Sequence, residues 1–66
     1  MWDEIGQTAG QVWTFLEARG ESSSLHIRSS LKISQTLLCL SLGWLAREGK
    51  IDIIYRDRSY WVLPRR

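Results

Sequence analysis

A small α+β domain, three helices followed by a two-stranded β-hairpin, is the architecture that three features of this 66-residue sequence predict. Apolar residues recur at helical spacing through most of the chain. Serines and glycines stand where helices would begin and end. From Ile51 onward the pattern changes to the alternation of strands.

The first helix is the clearest. Between Asp3 and Arg19 the residues Ile5, Ala9, Val12, Trp13 and Leu16 form one stripe at about 100° per residue, and Trp2 falls on it. Asp3 and Glu4 suit the positive end of a helix dipole, and Gly20 is placed for a left-handed terminal cap. Gly6 and Gly10 border the stripe one turn apart. Each lowers helix propensity by about 1 kcal/mol, so a close neighbour is expected against that edge, most simply another helix of the same chain. Phe15 lies off the stripe, beside Thr8 and Arg19.

A short second helix follows, capped by a serine among Ser22 to Ser24, with Ile27 and Leu31 one turn apart. Lys32 leads into a turn closed by Ser34, which caps the third helix. Two helices joined this way are a helix-turn-helix, whose second helix is the one usually presented to a DNA groove. In that third helix Leu37, Leu38, Leu40, Leu42, Trp44 and Leu45 cover an arc of roughly 200°, wider than a surface helix needs. It is expected to be covered on two sides, with Trp44 inside.

Ile51, Ile53 and Tyr55 alternate with Asp52 and Arg56, and Tyr60 to Leu63 form a second run, giving a hairpin that Pro64 ends. Its connection, Arg56 to Ser59, lacks glycine, so a loop longer than a two-residue type I′ turn is expected. The predicted core is Ile5, Val12, Trp13, Leu16, Ile27, Leu31, Leu38, Leu42, Trp44, Leu45 and Ile53. Helix, helix-turn-helix and hairpin, in this order, make a winged helix-turn-helix, here a single domain over residues 1–66.

The segments "IGQTAGQVWTFL" (Ile5 to Leu16), "SSLHIRSSLKIS" (Ser23 to Ser34) and above all "LGWLAREGKI" (Leu42 to Ile51) resemble a family of small prokaryotic winged helix-turn-helix proteins known as a domain of unknown function. The likeness spans nearly the whole chain. It implies the winged-helix fold and, by analogy, nucleic-acid binding. The family's frequent turn glycine is replaced here by Arg58.

Composition narrows the function classes. With one cysteine, Cys39, and one histidine, His26, the chain has no internal disulfide and too few soft ligands for a usual zinc site. Neither falls in a catalytic constellation, and no glycine-rich phosphate loop is present, so no enzyme activity, cofactor or small-molecule substrate is expected. The longest apolar stretch, Leu37 to Leu42, is broken by Ser41 and too short to span a bilayer. A cytoplasmic protein without membrane contact is expected. The net charge of +2 conceals a gradient from −3 over residues 1–21 to +3 over residues 47–66, whose ends suit attraction within the fold or across a dimer, although a solvated surface is the simpler reading.

Two surfaces remain as candidates. For double-stranded DNA, Gln35 is suited to adenine and Thr36 to a thymine methyl or a phosphate, with Arg28, Lys32 and Arg47 as backbone contacts and Arg56 and Arg58 at the wing tip. For a homodimer, the apolar surplus of the hairpin (Ile54, Tyr60, Trp61) and Phe15 are the expected interface. The preferred reading is a homodimeric regulator or adaptor that binds DNA weakly. The alternative is a protein-assembly module that has kept the fold without a groove-reading surface.

Overall fold

The computed structural model describes residues 2–65, without the side chain of Trp2, so the expected place of Trp2 on the apolar stripe lies outside the described part. The elements are α1 (Trp2–Arg19), β1 (Ser22–Ser23), α2 (Ser24–Leu31), α3 (Gln35–Arg47), β2 (Ile51–Arg56) and β3 (Ser59–Pro64).

The helix boundaries follow local chemistry. Gly20 ends α1 at φ 77°, and its N–H donates to the carbonyl of Leu16 at 2.6 Å. Ser23 Oγ accepts from the backbone N–H of His26 at 3.2 Å, and Ser34 Oγ accepts from that of Leu37 at 3.1 Å, so both expected serine caps form. At the far end of α3 the N–H groups of Gly49 and Lys50 donate to the carbonyls of Ala46 and Leu45, each at 3.0 Å, with Gly49 at φ 72°. This is a Schellman closure, and it turns the chain sharply into β2.

Buried Ile5, Ala9, Val12 and Leu16 give α1 its inner face; Ile27, Leu38, Leu42 and Leu45 meet it from α2 and α3, and Ile51 and Val62 from the sheet. Trp13, Phe15, Leu31 and Ile33 pack against this cluster half-buried. Each large core side chain contributes roughly 1.5–3 kcal/mol by leaving water.

The sheet is antiparallel with strand order β1-β3-β2. The expected hairpin is present, and a third strand joins it: Ser22 pairs with Val62 and Ser23 with Trp61. The chain leaving Gly20 runs alongside β3 before entering α2. A two-serine strand carries no alternation, so nothing in the sequence announced it.

Four expectations need correction. Trp44 is 38% exposed and Ile53 is 42% exposed, and neither belongs to the core, where Ile51 and Val62 stand instead. The apolar arc of α3 is thus wider than its cover: Leu38, Ser41, Leu42 and Leu45 are buried, while Leu40 and Trp44 reach solvent. The hairpin closes through two residues, because Arg56 pairs with Ser59 and both Asp57 (φ 53°) and Arg58 (φ 64°) have positive φ. That is the type I′ pattern, formed without glycine. Finally, a Cβ at Gly6 or Gly10 would meet nothing within 4 Å among the described residues, so none of these presses on that edge of α1. The two glycines instead line an open cavity of about 290 Å³ between α1 and α3, beside Trp13 and Trp44.

Candidate nucleic-acid interface

The helix-turn-helix is set by α2, the turn at Lys32 and Ile33, and α3. Lys32 adopts φ 55°, ψ 45°, its N–H donating to the carbonyl of Arg28, so the turn is made by a lysine where glycine is commonest. This left-handed residue sits just ahead of α3's first turn, with its ammonium in solvent.

On α3, Leu38, Ser41 and Leu45 face the core, so the opposite ridge is Thr36, Leu40, Gly43 and Arg47, one residue per turn and all exposed. Thr36 and Arg47 lie about 20° apart around the helix and about 16 Å apart along it. Leu40 is the member that sequence reasoning missed, because it had been counted in the covered arc. Gln35, Cys39 and Leu42 lie on the side toward the sheet, where with Ile53 and Tyr60, and with Gly43 at the rim, they line a cleft of about 390 Å³.

The structure brings Arg28, Gln35 and Cys39 together. Arg28 Nη1 donates to Gln35 Oε1 at 3.2 Å, and Gln35 Nε2 donates to Cys39 Sγ at 3.5 Å. Both ends of the Gln35 amide are therefore engaged within the chain. Reading an adenine edge requires those two exposed contacts to open first.

It separates the two wing arginines. The register places Ile51, Ile53, Tyr55, Tyr60 and Val62 on the sheet face toward α3, and Asp52, Ile54, Arg56, Trp61 and Leu63 on the other. Arg56 is thus turned away from α3. Its guanidinium lies over the Trp61 ring, 4.8 Å from the centroid, and pairs with Glu21, while Trp61 Nε1 donates to the Arg56 carbonyl at 3.2 Å. Acidic and basic ends of the chain meet in this ion pair. Arg58, at the tip, makes no ion pair among the described residues.

The expected interface residues do not form one patch. Ile54 (38% exposed) and Trp61 lie on the outer sheet face, and Tyr60 (56% exposed) lies on the inner one, edge-on to Tyr55 at 5.0 Å. Phe15 is half-buried, 5.7 Å from the His26 ring, with the Arg19 guanidinium 5.5 Å from its centroid. Tyr55, 65% exposed, is the largest aromatic surface on the wing and was not among the expected contacts.

No group of three or more His, Cys, Asp or Glu among the described residues is placed to hold a metal ion, and no helix among them is long and apolar enough to cross a membrane. What the arrangement offers is a shallow, weakly basic convex ridge beside an apolar cleft.

Three comparisons bear on this arrangement. The family model described as a winged helix-turn-helix domain, DUF2582, matches residues 1–64. Uncharacterized protein MJ1608 of Methanocaldococcus jannaschii is 38% identical over 66 residues, covering 96% of this chain and 91% of that protein. The solution NMR structure of protein BT2368 from Bacteroides thetaiotaomicron superposes with a TM-score of 0.83 at 27% identity, covering 94% of this chain and 76% of that one.

Proposed function

We propose, for a chain that belongs to the DUF2582 winged helix-turn-helix family, a non-enzymatic cytoplasmic regulator that binds double-stranded DNA weakly as a homodimer. The observation that carries the reading is the distribution of exposed cations around α3: Arg28 and Lys32 before its first turn, Arg47 at its last, and Arg58 on the wing tip. A helix laid in the major groove meets the phosphates at its two ends, and a wing reaches the neighbouring backbone. Leu40 and Gly43 make the middle of the ridge apolar and uncharged, and Thr36 at its first turn meets a thymine methyl or a phosphate. Gln35 reads adenine once Arg28 shifts to phosphate and the Gln35 Nε2 leaves Cys39 Sγ, a switch that the exposure of both bonds allows. Arg56, held by Glu21 and Trp61, contributes by fixing the wing rather than by gripping DNA.

About four phosphate contacts per subunit, eight for the dimer, give a log–log salt slope of roughly −7, so binding to a mixed-sequence duplex is expected at low salt and lost near physiological salt. Fluorescence anisotropy across a salt series measures it. Arg47→Ala and Arg58→Ala, each removing two contacts from the dimer, reduce the slope by about 2, whereas Arg56→Ala leaves it nearly unchanged. The Arg56→Ala, Arg58→Ala double variant then behaves as the Arg58 single. No binding to any duplex at low salt refutes the reading and favours the assembly module, which the exposed Ile53, Ile54, Tyr55 and Tyr60 support.

A further inference from the structure

We infer that the free edge of β2 pairs antiparallel with β2 of a second copy of this chain, about a two-fold axis at Ile54, making a six-stranded sheet. The inference rests on the homodimeric reading and names its surface.

The backbone is arranged for it. β2 is an outer strand, bonded among the described residues to β3 alone. Arg56 and Ser59 flank a two-residue turn and so form a bonded pair, and the alternation makes Ile54 with Trp61 and Asp52 with Leu63 the next bonded pairs. The N–H of Arg65 donates to the carbonyl of Lys50 at 2.7 Å, which continues the same parity. Hence Ile51, Ile53 and Tyr55 direct their N–H and C=O outward. Such an edge is a template for another strand, and proteins usually blunt it with lysine, proline or a bulge. β2, with sequence IDIIYR, has none of these.

The side chains select the occupant and the register. With Ile54 opposite its own copy, Ile53 and Tyr55 face each other across the seam as bonded pairs, twice. In the same register Asp52 lies opposite Arg56 of the other chain, also twice. The strand is therefore complementary to itself in both shape and charge. Shifting the axis to Ile53 instead sets Lys50 against Arg56, and a one-residue slip puts opposed side chains on different faces. Among the described residues Asp52 is ion-paired with Arg65 through Oδ2, and Arg56 uses one guanidinium nitrogen on Glu21, so Oδ1 and the other guanidinium nitrogens are available to the seam. Pairing covers the exposed apolar groups Ile53, Ile54 and Tyr55 on both faces of the strand. Because the axis is perpendicular to the sheet, both α3 helices lie on the same face, as two-site DNA recognition needs.

The test combines sedimentation with amide exchange on the intact chain. Mass should rise from 7.7 kDa toward twice that value with concentration, while the Ile53 and Tyr55 amides gain protection in step. Asp52→Arg and Arg56→Asp alone each weaken dimerisation by about tenfold or more, and mixing the two variants restores it as a heterodimer. Tyr55→Pro removes an outward N–H, sparing the β2–β3 ladder, and yields a folded monomer. A dimer whose Ile53 and Tyr55 amides exchange freely overturns the β2 surface and leaves the dimer reading standing. A folded wild-type monomer at millimolar concentration overturns both.

Discussion

The turn at Asp57 and Arg58 offers a test in which stability and function separate. Both residues have positive φ, a region that costs an L-residue with a Cβ roughly 1–2 kcal/mol. Aspartate tolerates it through local hydrogen bonding, and arginine has no such relief, so the strain concentrates at Arg58. Arg58→Gly removes the Cβ but adds backbone freedom to the unfolded chain, which returns about 0.5–1 kcal/mol. The net expectation is a gain of about 0.5–1 kcal/mol. For a chain of this size that corresponds to a rise in Tm of roughly 2–8 °C. Thermal and urea unfolding of Arg58→Gly should be compared with Arg58→Ala, which removes the same charge and keeps the Cβ. Only the glycine variant should gain stability, while both should lose the same share of DNA affinity. Equal Tm values for the two variants refute the assignment of a strained type I′ turn.

Other substitutions probe the interior and the open edge of α1. Ser41 is fully buried on α3 with no partner for its hydroxyl among the described residues, so Ser41→Ala should raise the urea midpoint by an amount equivalent to about 1 kcal/mol; a loss would reveal a hydrogen bond to that oxygen. Gly10→Ala places a methyl in open space within a helix and should stabilise by up to about 1 kcal/mol, read by circular dichroism melts. Destabilisation, or a fall in mass by sedimentation, would show that a partner approaches this edge closely.

The helical half of the fold was legible because its signals are local. A stripe at 100°, a serine cap and a glycine closure all lie within one element, and Ser23, Ser34, Gly20 and Gly49 serve as those rules require. What depends on extent was harder. Alternation placed Ile51, Ile53 and Tyr55 on one face, but only the structure shows that β2 outruns the helices, leaving Ile51 buried and Tyr55 in water. The same error exposed Trp44: an apolar arc of given width does not say how much of it has a neighbour. β1 consists of two serines, whose strand character comes entirely from β3 beside them. At the site, the exposed cations could be named from charge alone. The capture of Arg56 by Glu21, across 35 residues of chain, had only the overall charge gradient as its trace.

The pairing of Ser22 and Ser23 with β3 ties the wing to the corner between α1 and α2. In many domains a hairpin of this size would flap independently of the helices that carry it. Here its inner strand is clamped from both sides, and the clamp sits immediately before the serine that starts α2. The backbone hydrogen bonds of β1 thereby join the wing through β3 to the start of α2, and the turn at Lys32 joins α2 to α3. Wing and helix-turn-helix are held in one frame by two small residues.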